Sequence, residues 1–173
     1  RNLGILAGCN NDSLFTAGTW NAEICESMTP KDGDVVIKGK KGLDAFPGTD
    51  LESQLKARGI KTIALAGFLT NCCVESTMRS AYEKGFNVVT LTDCTACSSA
   101  EGQAAAAGPD GTFGMFSTPM AGDDFKGQLG AAKNAIKTEA APAGEGYSPN
   151  APSFASPNGP AVASAGPDGT CKV

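Results

Sequence analysis

Two adjacent cysteines, Cys72 and Cys73, stand where an apolar run gives way to a helical pattern, and a thiol at such a junction can act as a nucleophile. The run 62–68 (TIALAGF) has the continuous apolar character of a buried strand. From Val74 the apolar positions step through Met78, Ala81 and Tyr82 at helical spacing. Asn71 is of N-cap type and Gly85 of stop type, which predicts a helix over 72–84 with both cysteines in its first turn. Unpaired N–H groups and the positive end of the helix dipole favour thiolate over thiol there, and the same N–H groups can hold an oxyanion. The chemistry implied is attack of sulfur on a carbonyl carbon. Its rival is the ordinary role of a helical cysteine, a small buried hydrophobe.

Other residues bear on that chemistry. Lys38 ends the apolar strand Val35-Val36-Ile37, so its ammonium is expected at the carboxyl edge of a sheet, where it can stabilise a developing anion or a neighbouring thiolate. Lys40 and Lys41 read as solvated. Cys94-Thr95-Ala96-Cys97 follows a strand pattern and precedes a possible helix, the arrangement of a dithiol redox site, although one such pair is only half of a four-cysteine zinc site. Asp12 lies in a polar loop, and Asp93 ends a strand, where a turn or helix cap is its expected role. The chain has no histidine, which removes the Cys-His dyad, the Ser-His-Asp triad and every His-containing metal site.

Strands and helices alternate around these residues. Strands are expected at 34–38, 62–68 and 87–93, helices at 50–57, 72–84, 98–107 and 123–136, and an extended segment at 112–118. Repeated βα units with short turns predict a three-layer α/β sandwich with a parallel sheet and helices on both faces. The 173 residues suit one domain, expected over 1–137, with 138–173 an Ala/Pro/Gly/Ser-rich disordered tail dispensable for folding. A net charge of -4 with no long basic run argues against nucleic acid as partner, and no apolar stretch has the length of a membrane span. Seven cysteines without a regular framework suit reduced thiols in a cytoplasm. The opening Arg1 and the run 2–8 (NLGILAG) read as the middle of a domain, so truncation of the first strand or strands is the expectation.

Three blocks resemble the isochorismatase-like cysteine hydrolases, a family that includes nicotinamidases and related amidohydrolases. They are Gly18-Thr19-Trp20-Asn21-Ala22-Glu23-Ile24 with the stretch 34–46, then Gly67-Phe68-Leu69-Thr70-Asn71-Cys72-Cys73-Val74, then 81–93. The resemblance covers about residues 2–125 and implies hydrolysis of a C–N bond in a small amide or ureido compound. Its Cys-Val register selects Cys73 as nucleophile and Lys38 as the family's lysine. It also implies a cis peptide at Phe68-Leu69, with the N–H groups of Leu69 and Cys73 as an oxyanion hole. The family's catalytic aspartate ends its first strand, and no counterpart stands ahead of Asn2. No cofactor and no metal are expected. The expected partner is a small-molecule substrate, with a homo-oligomer for the full-length form. The competing classes are a thiol redox protein using Cys94 and Cys97, and a non-catalytic binding or assembly module.

Overall fold

The structure, a computed structural model, describes Gly4, Ala7, Cys9 and residues 12–139, 161–165 and 171–172. Its strands are β1 (Val36–Ile37), β2 (Thr62–Phe68), β3 (Asn87–Ala96), β4 (Thr118–Met120), β5 (Ala161–Ala165) and β6 (Cys171–Lys172). The helices are α1 (Leu51–Ala57), α2 (Glu75–Glu83), α3 (Ala100–Ala107), α4 (Phe113–Phe116) and α5 (Gly122–Glu139), and a π-helical turn spans Thr70–Val74. The sheet runs β1-β6-β5-β2-β3-β4. β2 pairs in parallel with β3 and with β5, β3 in parallel with β4, and β6 runs antiparallel to both β5 and β1.

Alternation along β2 explains why helices cover both faces. Ile63 and Leu65 point into a cluster with Leu51, Leu55, Met78, Ala81, Ala106 and Phe113, while Ala64 packs with Val89, Leu91 and Phe125 on the other face. α1 to α4 therefore form one outer layer and α5 the other, the three-layer α/β arrangement expected from the repeated βα units. Each large side chain buried this way contributes about 1.5–3 kcal/mol. Among the described residues no helix is long and apolar enough to cross a membrane.

Two expectations about secondary structure are corrected. The stretch 112–118 is not one extended segment: Phe113–Phe116 is a short helix that buries Phe113 in the core, and only Thr118–Met120 is strand. Nor is the region from 138 onward without structure throughout, because α5 runs to Glu139, Ala161–Ala165 pairs with the edge of β2, and Cys171–Lys172 continues the sheet. The physical reason is that β2, buried on both faces, needs ladder partners on both edges. Residues 140–160, 166–170 and 173, which include Tyr147 and Phe154, lie outside the described residues.

An ion-pair network ties α1 to the end of α2. Glu52 meets Lys56 at 2.6 Å and Lys84 at 2.6 Å, and the hydrogen bonds from these two ammonium groups hold its carboxyl down at about 2 against an ordinary 4.5. A carboxyl lowered by folding contributes stability above its unfolded value and loses it as pH falls through the folded one. The thermal midpoint should therefore drop between about pH 4.5 and 2, and Glu52→Gln should flatten that part of the profile. An identical acid limb in wild type and variant would show that the pair contributes nothing in solution.

Candidate active site

At the end of β2 the chain turns through Leu69, whose φ of -86° and ψ of 142° are extended, straight into the π-helical turn and then α2. The Phe68-Leu69 peptide bond is cis. The carbonyl of Leu69 accepts from the N–H of Cys72 at 3.1 Å and of Val74 at 3.2 Å, so winding starts from Leu69 and not from Asn71. This corrects the expected cap. Asn71 has the side chain of an N-cap, but it is already inside the turn, and its Oδ1 accepts from Cys97 Sγ at 3.0 Å. Cys72 and Cys73 still fall in the first turn at the carboxyl edge of β2, each half-buried. A π turn at a helix start is a local departure that recurs at functional sites.

The neighbouring loop is fastened to the same helix. The N–H of Ala45 donates to Thr77 Oγ1 at 3.1 Å, the Ser80 hydroxyl donates to Asp44 Oδ2, and Asp44 Oδ1 accepts from the N–H of Phe46 at 2.9 Å. Buried Val74 and Met78 anchor the helix from below. The chain between β1 and α1 is thus held against the helix that begins with the two cysteines.

Around that turn the thiols differ. Burial raises the Cys72 thiol above its ordinary value, and the nearby charges of Cys73 and Cys97 add to the effect. Cys97 moves the other way, chiefly because the Ser99 N–H stabilises its thiolate, with help from Ser98 and Asn71. Gly102 leaves room for this sulfur: a Cβ there would sit 2.7 Å from Cys97 Sγ and 3.0 Å from Asn71 Nδ2. Among Cys72, Cys94 and Cys97, iodoacetamide should label Cys97 first at pH values just above neutral, as read by peptide mapping. Earlier labelling of Cys72 would contradict this assignment.

The dithiol reading of Cys94 and Cys97 is not supported by their placement. β3 stays extended through Ala96, so the pair does not sit in the first turn of a helix. The Cys94 sulfur lies by Asp93, 3.6 Å from Oδ1, and by the start of α5 at Gly122, whereas Cys97 Sγ lies by Asn71 and Gly102. Burial and the Asp93 carboxylate raise Cys94, the opposite of an activated redox thiol. Asp93 itself accepts from the Gly122 N–H at 2.7 Å, which caps α5 and holds its carboxyl below the usual range. Asp12 is exposed.

Lys38 follows β1, which runs parallel to β2 by way of two antiparallel steps, so it leaves the sheet at the same edge as Cys73. Two strands separate them, however. At three strand spacings the two exits are about 14 Å apart, and Lys38 is exposed. Lys40, read as solvated, is half-buried, and its Nζ donates to the Gly42 carbonyl at 2.7 Å. The signal that separates the two lysines is Gly39, whose φ of +89° turns the chain between them. Among the described residues no group of three His, Cys, Asp or Glu side chains is arranged to hold a metal ion.

The isochorismatase domain profile matches residues 2–117. Over 85 residues the chain is 40% identical to the ureidoacrylate amidohydrolase RutB of Methylorubrum extorquens, a match covering 49% of this chain and 34% of that protein. Over 82 residues it is 45% identical to the isochorismatase family protein YecD of Escherichia coli O157:H7, covering 47% and 42%. The fold is similar to an isochorismatase-like hydrolase from Alkaliphilus metalliredigens, with a TM-score of 0.59, 30% identity, and 64% and 60% of the two chains covered. It is also similar to a cysteine hydrolase from Pseudomonas syringae pv. phaseolicola, at 0.59, 26%, 64% and 56%. The chain thus spans between about a third and two fifths of these curated relatives. With two thirds of its length matching the domain profile, and with the strand, turn and helix that carry Cys73 inside the match, this chain belongs to the isochorismatase family.

Proposed function

We propose that this domain hydrolyses a C–N bond in a small amide or ureido compound, with Cys73 as nucleophile. The observation that carries the reading is the junction itself: a half-buried cysteine in the first turn of a helix, at the carboxyl edge of a central strand. The likeness to a ureidoacrylate amidohydrolase supports the bond class, and the likeness to a cysteine hydrolase supports the thiol. In this mechanism the sulfur attacks the carbonyl carbon, and the N–H groups of Leu69 and Cys73 hold the oxyanion. The C–N bond then breaks as a general acid-base group, the role that the resemblance gives to the family's aspartate, passes the thiol proton to the leaving amine, and water hydrolyses the thioester or thiocarbamate left on the sulfur. Phe68 contributes the peptide bond that orients the Leu69 N–H.

Lys38 is the cation proposed from the family register. A second reading, that Lys40 takes this role, is favoured by its partial burial and its hydrogen bond beside the loop clamped to α2. Ammonia release from a panel of small amides and ureido compounds tests the function. Turnover of at least one ureido or amide substrate is expected once a strand ending in the family's aspartate is joined to this chain, with the larger loss on Lys→Ala marking the lysine that serves the site. Absence of release from every compound by folded protein would refute the hydrolase reading and favour the binding module.

A further inference from the structure

We propose that Gln103 is a positioning residue for Cys73: its side chain, carried on α3, grips the Thr70 hydroxyl and so fixes the turn that presents the thiol. The inference rests on the reading of Cys73 as nucleophile. Thr70 opens the π-helical turn and is fully buried, and its Oγ1 donates to Gln103 Oε1 at 2.6 Å. A buried hydroxyl without an acceptor is expensive, so this bond decides where the start of the turn can rest.

The Gln103 amide is itself oriented from the other side. Its Nε2 lies 3.4 Å from the Thr92 carbonyl, 3.5 Å from the Thr95 carbonyl and 3.4 Å from Thr95 Oγ1. Two carbonyl oxygens on that side admit the NH2 and repel the amide oxygen, so the oxygen must face Thr70. Those carbonyls are available because β3 slips its register against β2: Leu65 pairs with Thr90, but Gly67 pairs with Thr95. The extra residues between them leave the ladder, so the Thr92 and Thr95 carbonyls come within reach of Gln103 Nε2 while Asp93 and Cys94 lie by the start of α5. The root of Gln103 is equally constrained, since the Ser99 side chain caps α3 by accepting from the Gly102 N–H at 3.0 Å. A path of hydrogen bonds thus runs from β3 and α3 through Gln103 and Thr70 to the turn that holds Cys73. Packing alone would not need a donor at 70 matched to an acceptor at 103.

The test is native-state alkylation of Cys73 by iodoacetamide, followed by peptide mapping, with exposed Cys25 as internal control. Thr70→Val and Gln103→Leu should each slow Cys73 labelling about fivefold while leaving Cys25 unchanged. The double variant should be no slower than either single one, because both remove the same bond. Thr70→Ser, which keeps the donor, should stay close to wild type. In the ammonia assay kcat should fall with KM nearly constant. Unchanged Cys73 labelling in Thr70→Val, effects that add in the double variant, or a Thr70→Ser rate as slow as Thr70→Val would overturn the proposal. Thr70→Val alone decides the matter if Gln103→Leu does not fold. Failure of the nucleophile reading shows separately, as ammonia release that survives Cys73→Ala.

Discussion

Deleting residues 161–173 should lower the thermal midpoint by about 10 °C and increase self-association. β5 pairs with β2 at five positions, from Ile63 opposite Ala161 to Gly67 opposite Ala165. Its removal leaves one whole edge of a central strand without partners, although Ile63, Ala64 and Leu65 are buried there. Each ladder hydrogen bond contributes about 1 kcal/mol net. Part of that gain offsets the entropy of ordering β5, so a net loss of about 3 kcal/mol is the scale expected. The same edge becomes a template for another chain. Thermal melts and light scattering of the full and shortened chains check both effects. A midpoint that does not move would mean that β5 and β2 are not paired in solution, which is the dispensable-tail outcome.

Replacing Cys73 should have the largest effect on turnover. On the proposed mechanism Cys73→Ala removes the attacking atom, and loss of a nucleophile of this kind typically costs on the order of 10⁴ or more in kcat. Cys72→Ala should cost less than about tenfold. Burial and the charges of its neighbours raise its thiol above the ordinary value, which makes it the poorer candidate nucleophile in the same turn. The contrast between adjacent residues is the useful quantity: damage to the turn would affect both variants, while chemistry at one sulfur affects only one. Rates of ammonia release at saturating substrate read it directly. Equal losses in the two variants would point to structure rather than catalysis.

How far the sequence carried these assignments depended on where the determining forces lie. β2 was legible with its bounds, Thr62–Phe68, because a seven-residue apolar run buried on both faces leaves few alternatives. The helices expected at 50–57, 98–107 and 123–136 are found at Leu51–Ala57, Ala100–Ala107 and Gly122–Glu139, so their presence was legible from local pattern and their ends only to within a few residues. The cap at Asn71 was misread because side-chain preference describes α-helix starts, while here the Leu69 carbonyl takes two N–H groups and a π turn results. β5, the segment Ala161–Ala165, has three small alanines with one valine and one serine, a weak strand signature; the open edge of β2 makes it a strand. The distance between Lys38 and Cys73 was invisible for the same reason, since it is set by two strands inserted from the far end of the chain. Thr70 and Gln103 are 33 residues apart, and nothing in their types announces the bond between them.

The most direct measurement of the central claim is the mass of the protein while it is incubated with substrate. A reaction with a slowly released ureido or amide substrate, quenched in acid and digested, should yield an acyl or carbamoyl adduct on the peptide that contains Cys72 and Cys73. Fragmentation should place it on the sulfur of Cys73, and the adduct should be missing from Cys73→Ala but present in Cys72→Ala. An adduct on Cys97, or steady ammonia release with no adduct and no loss in Cys73→Ala, would contradict the assignment of Cys73 as the nucleophile.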